Sequence, residues 1–325
     1  LLHLIKVTGL VLAFSSLSLI ALYLKHELSY DRFHTHSDRI YRFTATSPSA
    51  FSGKHFARIW SAGYVPAMAE NFPEIEHYVR LSPVGGGLIS HGEKPFPMDQ
   101  SFYCDSTFFK VFDARLIQGN PETVLEGPSS MVISESFGRK IFGREDPIGQ
   151  VLTIPSGRFY ADEIHFTVNG IMKDFPGNSH FHPQFITTPP QRTYLDGWAW
   201  TYLLLNAQSD PERITSGFPA FLAAFWEQDA EELNYSGHLQ KITDIHLKSV
   251  KTREIEPNGS MIVVYSFGIA VLILLFIALV NYANLNRGML RLSDAYIFVG
   301  RVYGASRRQQ LYFYLIEGAM VMGLV

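Results

Sequence analysis

Two long apolar runs frame the chain. Residues 4–24 carry one charge, Lys6, at their start. Residues 261–282 carry none and include Ile269-Ala270-Val271-Leu272-Ile273-Leu274-Leu275-Phe276-Ile277-Ala278-Leu279-Val280. About 20 helical residues cross the roughly 30 Å hydrocarbon core of a bilayer, so each run is long enough to span. A helix with no polar side over that length offers no face to water. The first run exceeds the roughly 7–15 apolar residues of a signal peptide. It leads straight into Tyr23-Leu24-Lys25-His26-Glu27, which favours an uncleaved span. A third apolar run, 311–325, contains Glu317 and ends at Val325, short of a comfortable crossing, so the intact protein is expected to continue through that helix.

Charge orients these runs. Residues 283–310 hold Arg287, Arg291, Arg301, Arg307 and Arg308 against the single acid Asp294. Short loops rich in Arg and Lys stay cytoplasmic. Residues 25–260 are then expected outside the cytoplasm, between transmembrane helices at 1–24 and 261–282. Residues 283–310 form a cytoplasmic loop, and 311–325 begin a third span.

The pattern inside 25–260 is mixed. Arg39-Ile40-Tyr41-Arg42-Phe43-Thr44 alternates as a strand does. Residues 59–71 predict a helix stopped by Phe72-Pro73, and 76–81 another strand, a βαβ-like unit. Ser134 is placed to cap a helix over 134–142, with Gly143 just past its end. Residues 151–154, 165–171 and 200–206 read as strands. Residues 211–228 read as a helix with Asp210 as cap and Pro211 at its first position. The fold class is α+β. No Gly or Pro interrupts residues 25–41, so the first helix is expected to run outward as a stalk.

Composition narrows the function. Charged residues make up 18% of the 325, below the roughly 25% of soluble domains, and 47% are hydrophobic. A net charge of −3 gives no basic footprint for nucleic acid. One cysteine, Cys104, allows neither an intrachain disulfide nor a four-cysteine metal site. There is no G-x-x-x-x-G-K-[ST], H-E-x-x-H or G-x-S-x-G sequence, and Gly85-Gly86-Gly87 reads as a loop. His34-x-His36 and His180-x-His182 each set two imidazoles on one strand face, but no third ligand is spaced nearby, so metal is not expected. The Glu231-Glu232 pair reads as a solvated face.

At this point the residues resemble a known family, the MacB/FtsX-like permeases of ABC-type transporters. Glu27-Leu28-Ser29-Tyr30-Asp31-Arg32-Phe33-His34 with Asp38-Arg39-Ile40-Tyr41-Arg42 is similar to the segment after their first span. Val132-Ile133-Ser134-Glu135-Ser136 with Ile141-Phe142-Gly143-Arg144-Glu145-Asp146-Pro147-Ile148-Gly149-Gln150 resembles the core motif of their periplasmic domain. Phe166-Thr167-Val168-Asn169-Gly170-Ile171-Met172-Lys173-Asp174-Phe175-Pro176 with Asn178-Ser179-His180, and Ile242-Thr243-Asp244-Ile245-His246-Leu247, continue the likeness. Asn281-Tyr282-Ala283-Asn284-Leu285, Gly304-Ala305-Ser306-Arg307-Arg308 and Glu317 resemble the FtsX-type transmembrane module. Read for chemistry alone, these motifs are turns and helix ends that determine fold.

The resemblance implies a MacB-like mixed α/β periplasmic domain of two subdomains, in a multi-pass protein of the bacterial inner membrane. It implies a permease without catalysis of its own, with ATP bound by a separate cytoplasmic ABC ATPase subunit. A second permease copy or half, a periplasmic adaptor and membrane lipid are the other expected partners. Such permeases transmit mechanical work in efflux, lipoprotein or cell-envelope processes. The ATPase-coupling residues implied are Arg301, Gly304, Ala305, Ser306, Arg307 and Arg308, and Glu317 is a polar group at membrane depth. The Lys-Glu pair usual before the Gly-Ala-Ser turn is replaced here by Ala295-Tyr296. The rival readings are a transmembrane sensor with a periplasmic ligand domain and a membrane-anchored enzyme. The short arginine-rich loop leading into a further apolar run argues against the first, and the lack of a convergent catalytic set against the second.

Overall fold

A computed structural model describes residues 2–46, 56–60, 62–85, 87–156, 162–229, 235–309, 312 and 316. The chain divides into two compact units, Ser29–Gly259 and a flanking unit made of Leu1–Leu28 and Ser260–Val325. Glu317, Gly86, Glu231, Glu232 and the third apolar run apart from Tyr312 and Ile316 lie outside the described residues.

The unit Ser29–Gly259 is built on one continuous sheet. In chain order its elements are β1 (Ile40–Thr46), α2 (Val65–Asn71), β2 (Ile75–Pro83), β3 (Leu88–His91), β4 (Lys94–Pro97), β5 (Ser101–Cys104), α3 (Phe108–Val111), β6 (Leu116–Gln118) and β7 (Ser130–Ser134). After these come α4 (Glu135–Phe142), β8 (Val151–Ile154), β9 (Ile164–Met172), β10 (Phe185–Thr187), β11 (Trp200–Leu205), α5 (Pro211–Trp226), β12 (Ser236–Lys241) and α6 (Ile245–Lys248). The strand order is β12-β1-β11-β2-β5-β10-β7-β9-β8-β3-β4, with β6 added beside β9.

Two subdomains share this sheet. In the first, β1 and β2 both run antiparallel to β11, which lies between them. The βαβ-like unit read from sequence is therefore a split one. With β11, α5 and β12 it completes a βαββαβ arrangement of the ferredoxin-like kind. Residues 88–187 form the second subdomain, inserted between the second and third strands of the first, and joined to it through antiparallel β2–β5 pairing.

Both sheet faces are buried. One face carries Ile40, Val79, Leu81, Phe102, Cys104, Ile186, Tyr202 and Leu204 and packs under α3 and the segments around Phe175, Phe181 and Ile245. The other face is covered at the first subdomain by α2 and α5 through Val65, Met68, Ile214, Phe218 and Leu222. At the second it is covered through Phe137 and Phe142 of α4. A register shift between Met131 and Val132, where β7 pairs β9, lets β9 change faces. Ile164, Phe166 and Val168 serve one core, while Met172 serves the opposite one. Buried Arg80 ties β2 to the turn after β5: its Nε and Nη2 donate to Asp105 Oδ2 and Oδ1 at 3.0 and 2.8 Å. The last strand of the path, β4, carries Pro95 and Pro97, whose missing N–H groups blunt an exposed sheet edge.

Local signals placed several elements well. The Ser134 hydroxyl accepts from the Phe137 N–H, and Gly143 ends α4 at φ +63°. Asp210 caps α5 by accepting from the Glu212 N–H. The expected helix over 59–71 is shorter, because Ile59 is drawn into a bridge with Ala199 and α2 begins only at Val65.

The flanking unit contains α1 (Leu2–Glu27) and α7 (Met261–Val302). Each includes a stretch long and apolar enough to cross a membrane, Thr8–Glu27 and Met261–Asn281. These stretches are 0% and 6% buried, so they are not core helices of a soluble fold. Leu12, Leu19, Leu272 and Phe276 point outward, and the rings of Tyr23 and Phe267 lie 5.0 Å apart. The structure differs from two expectations here. Helix α1 stops at Glu27, so no helical stalk extends beyond it. The expected loop over 283–310 is helical through Val302, as its Leu, Ala, Met and Arg content without proline allows.

A Cβ added at Gly170 would sit 2.6 Å from Val124 Cγ2 and 3.1 Å from the Gln118 carbonyl oxygen. Gly170→Ala should therefore destabilise the sheet by about 1–3 kcal/mol, read as a lowered denaturation midpoint. A neutral effect would show that β6 packs less tightly on β9 than described.

Candidate functional site

The segments that adjoin the two apolar helices are held on one face of the sheet. The incoming segment, 29–39, breaks from helical geometry at Asp31, whose φ is +57°. Asp tolerates this left-handed conformation better than most residues. Here it turns a fully buried carboxylate inward. Asp31 Oδ1 accepts from the His180 backbone N–H at 3.1 Å and meets His180 Nδ1 at 2.8 Å. His180 Nε2 meets the Tyr202 hydroxyl at 2.7 Å, linking the segment to β11, which lies between β1 and β2. The Asp31 N–H donates to the Asn178 carbonyl, and Asn178 Nδ2 donates to the Ser29 carbonyl and hydroxyl, both at 2.9 Å.

His34 completes this cluster. Its Nδ1 accepts from the Asp113 N–H at 3.1 Å, and burial lowers its pKa from 6.5 to about 4, so the ring is neutral. Asp31 Oδ2 and His34 Nε2 are buried without hydrogen-bond partners among the described residues. Unmet capacity of this kind makes the cluster sensitive to small displacements.

The outgoing segment, 249–259, is held on the same face. Glu254 pairs with fully buried Arg42 of β1, which also donates to Gln240 and Ser249 at 2.7 and 3.0 Å. The Trp200 indole N–H donates to the Arg253 carbonyl at 2.9 Å. Glu256 accepts from Gln100 and meets His182 Nδ1 at 2.6 Å. The His182 backbone N–H in turn donates to Gln100 at 2.7 Å.

One short stretch, Asn178-Ser179-His180-Phe181-His182, thus grips both connections. His180 holds the incoming segment and His182 the outgoing one. The histidines paired by sequence spacing serve different partners, as do buried His34 and exposed His36. Among the described residues no group of three metal-ligating side chains converges. The arrangement holds two chain segments on one face of the sheet.

The expected coupling residues lie elsewhere, at the end of α7. Arg301 is in its last turn. Gly304 turns the chain at φ +83°, and Ser306 starts a further helical turn containing Arg307 and Arg308, both exposed. Gln309 N–H donates to the Ser306 hydroxyl at 3.3 Å while the Ser306 N–H donates to Gln309 Oε1 at 2.8 Å. This is a capping box, which makes the turn a defined corner.

Sequence reasoning placed Asp31 and His180 in separate motifs, and the fold joins them across 149 positions. It missed Glu254 and Glu256, acids in a polar stretch with no local signal that their partners are Arg42 and His182.

The fold and these anchored connections define a class: an α+β domain carried between two apolar helices. Residues 4–218 match the family described as the MacB-like periplasmic core domain, and the chain belongs to that family. It is the periplasmic domain of ABC-type transporter permeases, which places this chain among membrane proteins with a periplasmic domain and among transporter components of permease type. A crystallised domain of a protein from Porphyromonas gingivalis described as a permease is 22% identical, with a TM-score of 0.51 over 64% of this chain and 92% of that one. The periplasmic region of MacB from Actinobacillus actinomycetemcomitans is 12% identical, with a TM-score of 0.46 over 64% and 91%. The extracellular domain of the ABC-type transporter YknZ from Gram-positive bacteria is 11% identical, with a TM-score of 0.43 over 61% and 99%. No curated protein matches the chain.

Replacing Asp31 with Ala leaves buried donors of His180 unmatched and should cost about 3–5 kcal/mol. Denaturation of the whole chain in nanodiscs, with hydrogen exchange over 29–39, measures this. A loss below about 1 kcal/mol would remove Asp31 as the anchor.

The outgoing grip should depend on pH. The hydrogen bond to Glu256 raises the His182 pKa against the opposing effect of burial. Burial would raise the Glu256 pKa, but hydrogen bonds from His182 and Gln100 outweigh it and lower the value. The raised His182 contributes fully below its ordinary 6.5 and loses its contribution as pH rises through the raised value. The lowered Glu256 contributes fully above its ordinary 4.5 and loses its contribution as pH falls through the lowered value. The pair is strongest between these ordinary values. Hydrogen exchange at 249–258, corrected for intrinsic rates, should be slower at pH 6 than at pH 8.5, and His182→Gln should remove the difference.

Proposed function

We propose that this chain is the permease subunit of an ABC-type transporter and carries conformational change from a separate ATPase to its periplasmic domain. The observation that supports this most is α7, a single helix of 42 residues. At 1.5 Å per residue it is about 63 Å long, twice the roughly 30 Å of a hydrocarbon core. It succeeds the outgoing segment directly in the chain and ends at the capped corner of Gly304-Ala305-Ser306. A stiff rod between an anchored segment and a defined corner conveys displacement, whereas a flexible linker would absorb it.

In this reading residues 1–24 and 261–282 span the inner membrane, and residues 311–325 begin a further span containing Glu317. The Arg301–Arg308 region meets the ATPase, where Ala295-Tyr296 makes the contact less charged than in relatives. ATP is bound by that partner, and a second permease copy or half completes the transporter. The work done is efflux, lipoprotein transport or another envelope process, with or without a periplasmic adaptor.

Co-expression with the ATPase encoded beside it should yield a complex that hydrolyses ATP. Gly304→Val, which forces a side chain into a left-handed conformation costing about 1–2 kcal/mol, should lower that activity several-fold while both helices still insert. Failure of any ATPase to co-purify sinks the proposal. Unchanged activity in Gly304→Val together with Arg307→Glu and Arg308→Glu removes the coupling role from the corner.

A further inference from the structure

Beside the outgoing grip, which already uses the Arg253 carbonyl, the side chains of Arg58 and Arg253 lie over a cluster of aromatic rings. The Arg58 guanidinium lies 5.2 Å from the Trp198 ring and 5.6 Å from Trp200. The Arg253 guanidinium lies 5.8 Å from Phe56. Phe56 and Trp60 meet the Trp198 ring edge-on, at 5.6 and 5.1 Å. Trp60 is 55% exposed. A parallel bridge from Phe56 to Thr252 and the Ala57 N–H bond to the Thr252 carbonyl fix the two arginine-bearing stretches side by side.

What this cluster lacks is a counter-charge. The two acids nearest Arg253 in sequence are engaged elsewhere, Glu254 with Arg42 and Glu256 with His182 and Gln100. Among the described residues neither Arg58 nor Arg253 has a carboxylate partner, and Arg58 Nε is buried without an acceptor. Arg253 is held at φ +60°, an uncommon backbone conformation for such a residue. Burial, and then the neighbouring Arg253, push the Arg58 pKa down, the direction expected where like charges are held together. The rings offset part of this cost through cation–π attraction. Arg253 is exposed and hydrated, whereas Arg58 is half-buried with its Nε unmet, so an anion from outside would answer both guanidinium groups at once.

We propose that Arg58 and Arg253 form a binding site for a phosphate group, with Trp60 and Trp198 receiving the apolar part of the molecule that carries it. One guanidinium satisfies a flat carboxylate in a bidentate pair. Two guanidinium groups in different settings suit a phosphate, whose several oxygens point in different directions. That phosphate belongs to an anionic lipid headgroup or to a free phosphate ester, and the exposed indole of Trp60 favours the lipid.

Three of the four tryptophans, Trp60, Trp198 and Trp200, report on the site. The full chain in phosphatidylcholine nanodiscs is titrated with dihexanoyl phosphatidylglycerol, dihexanoyl phosphatidylcholine and inorganic phosphate while tryptophan emission is followed. The phosphatidylglycerol should give a saturable change and the phosphatidylcholine none. Arg58→Gln and Arg253→Gln should each raise the half-saturation point about tenfold, and Trp60→Ala should weaken lipid more than phosphate. Saturation by inorganic phosphate as tight as by the lipid keeps the site and assigns it to free phosphate. No saturable response in the wild-type chain, or equal responses to the two lipids, overturns the proposal whether or not the variants fold. So does an unaltered response in the folded double variant.

Discussion

The buried carboxylate of Asp31 is the interaction on which the arrangement of the periplasmic unit rests. A carboxylate removed from water is stable only when donors converge on it. Here the His180 ring and backbone supply them, and Tyr202 anchors that ring to β11 of the first subdomain. The incoming helix ends at Glu27, and four residues on the Asp31 backbone turns left-handed to aim this side chain inward. A single buried acid thereby fastens the start of the folded domain to its sheet.

The rest of the domain converges on the same strip of sheet. The βαββαβ subdomain brings both chain connections to neighbouring strands, since β1 comes just after the incoming segment and β12 precedes the outgoing one. The inserted subdomain supplies the stretch from Asn178 to His182 that holds them. Motion of one connection is therefore opposed by contacts shared with the other. The two grips differ in chemistry. Asp31 and His180 are buried, while His182 and Glu256 are partly open to solvent. The outgoing grip is the one that pH and ionic strength can reach.

Much of the fold was legible because it obeys local rules. Ser134 and Gly143 bracket α4, and Asp210 with Pro211 starts α5, since capping acts within a few residues. Alternation revealed β1, and β8, β9 and β11 were also read as strands. The site was less legible. The motifs holding Asp31 and His180 could be named, but their union is a contact across the whole inserted subdomain. Arg42, with Glu254 as its mate, and Arg58 beside Arg253 gave no local signal, because like or opposite charge matters only once two segments lie side by side.

By itself the sequence determined the two apolar helices, their expected orientation, the α+β class and the family. Each depends on composition, period or motif along a short stretch, which the chain carries before it folds. Tertiary structure decided where those helices end and which side chains face one another. The stretch from Leu28 to Arg39 contains no helix breaker, yet it turns at Asp31 because buried hydrogen bonds outweigh local propensity. The continuation of α7 to Val302 follows local preference, through a stretch without proline.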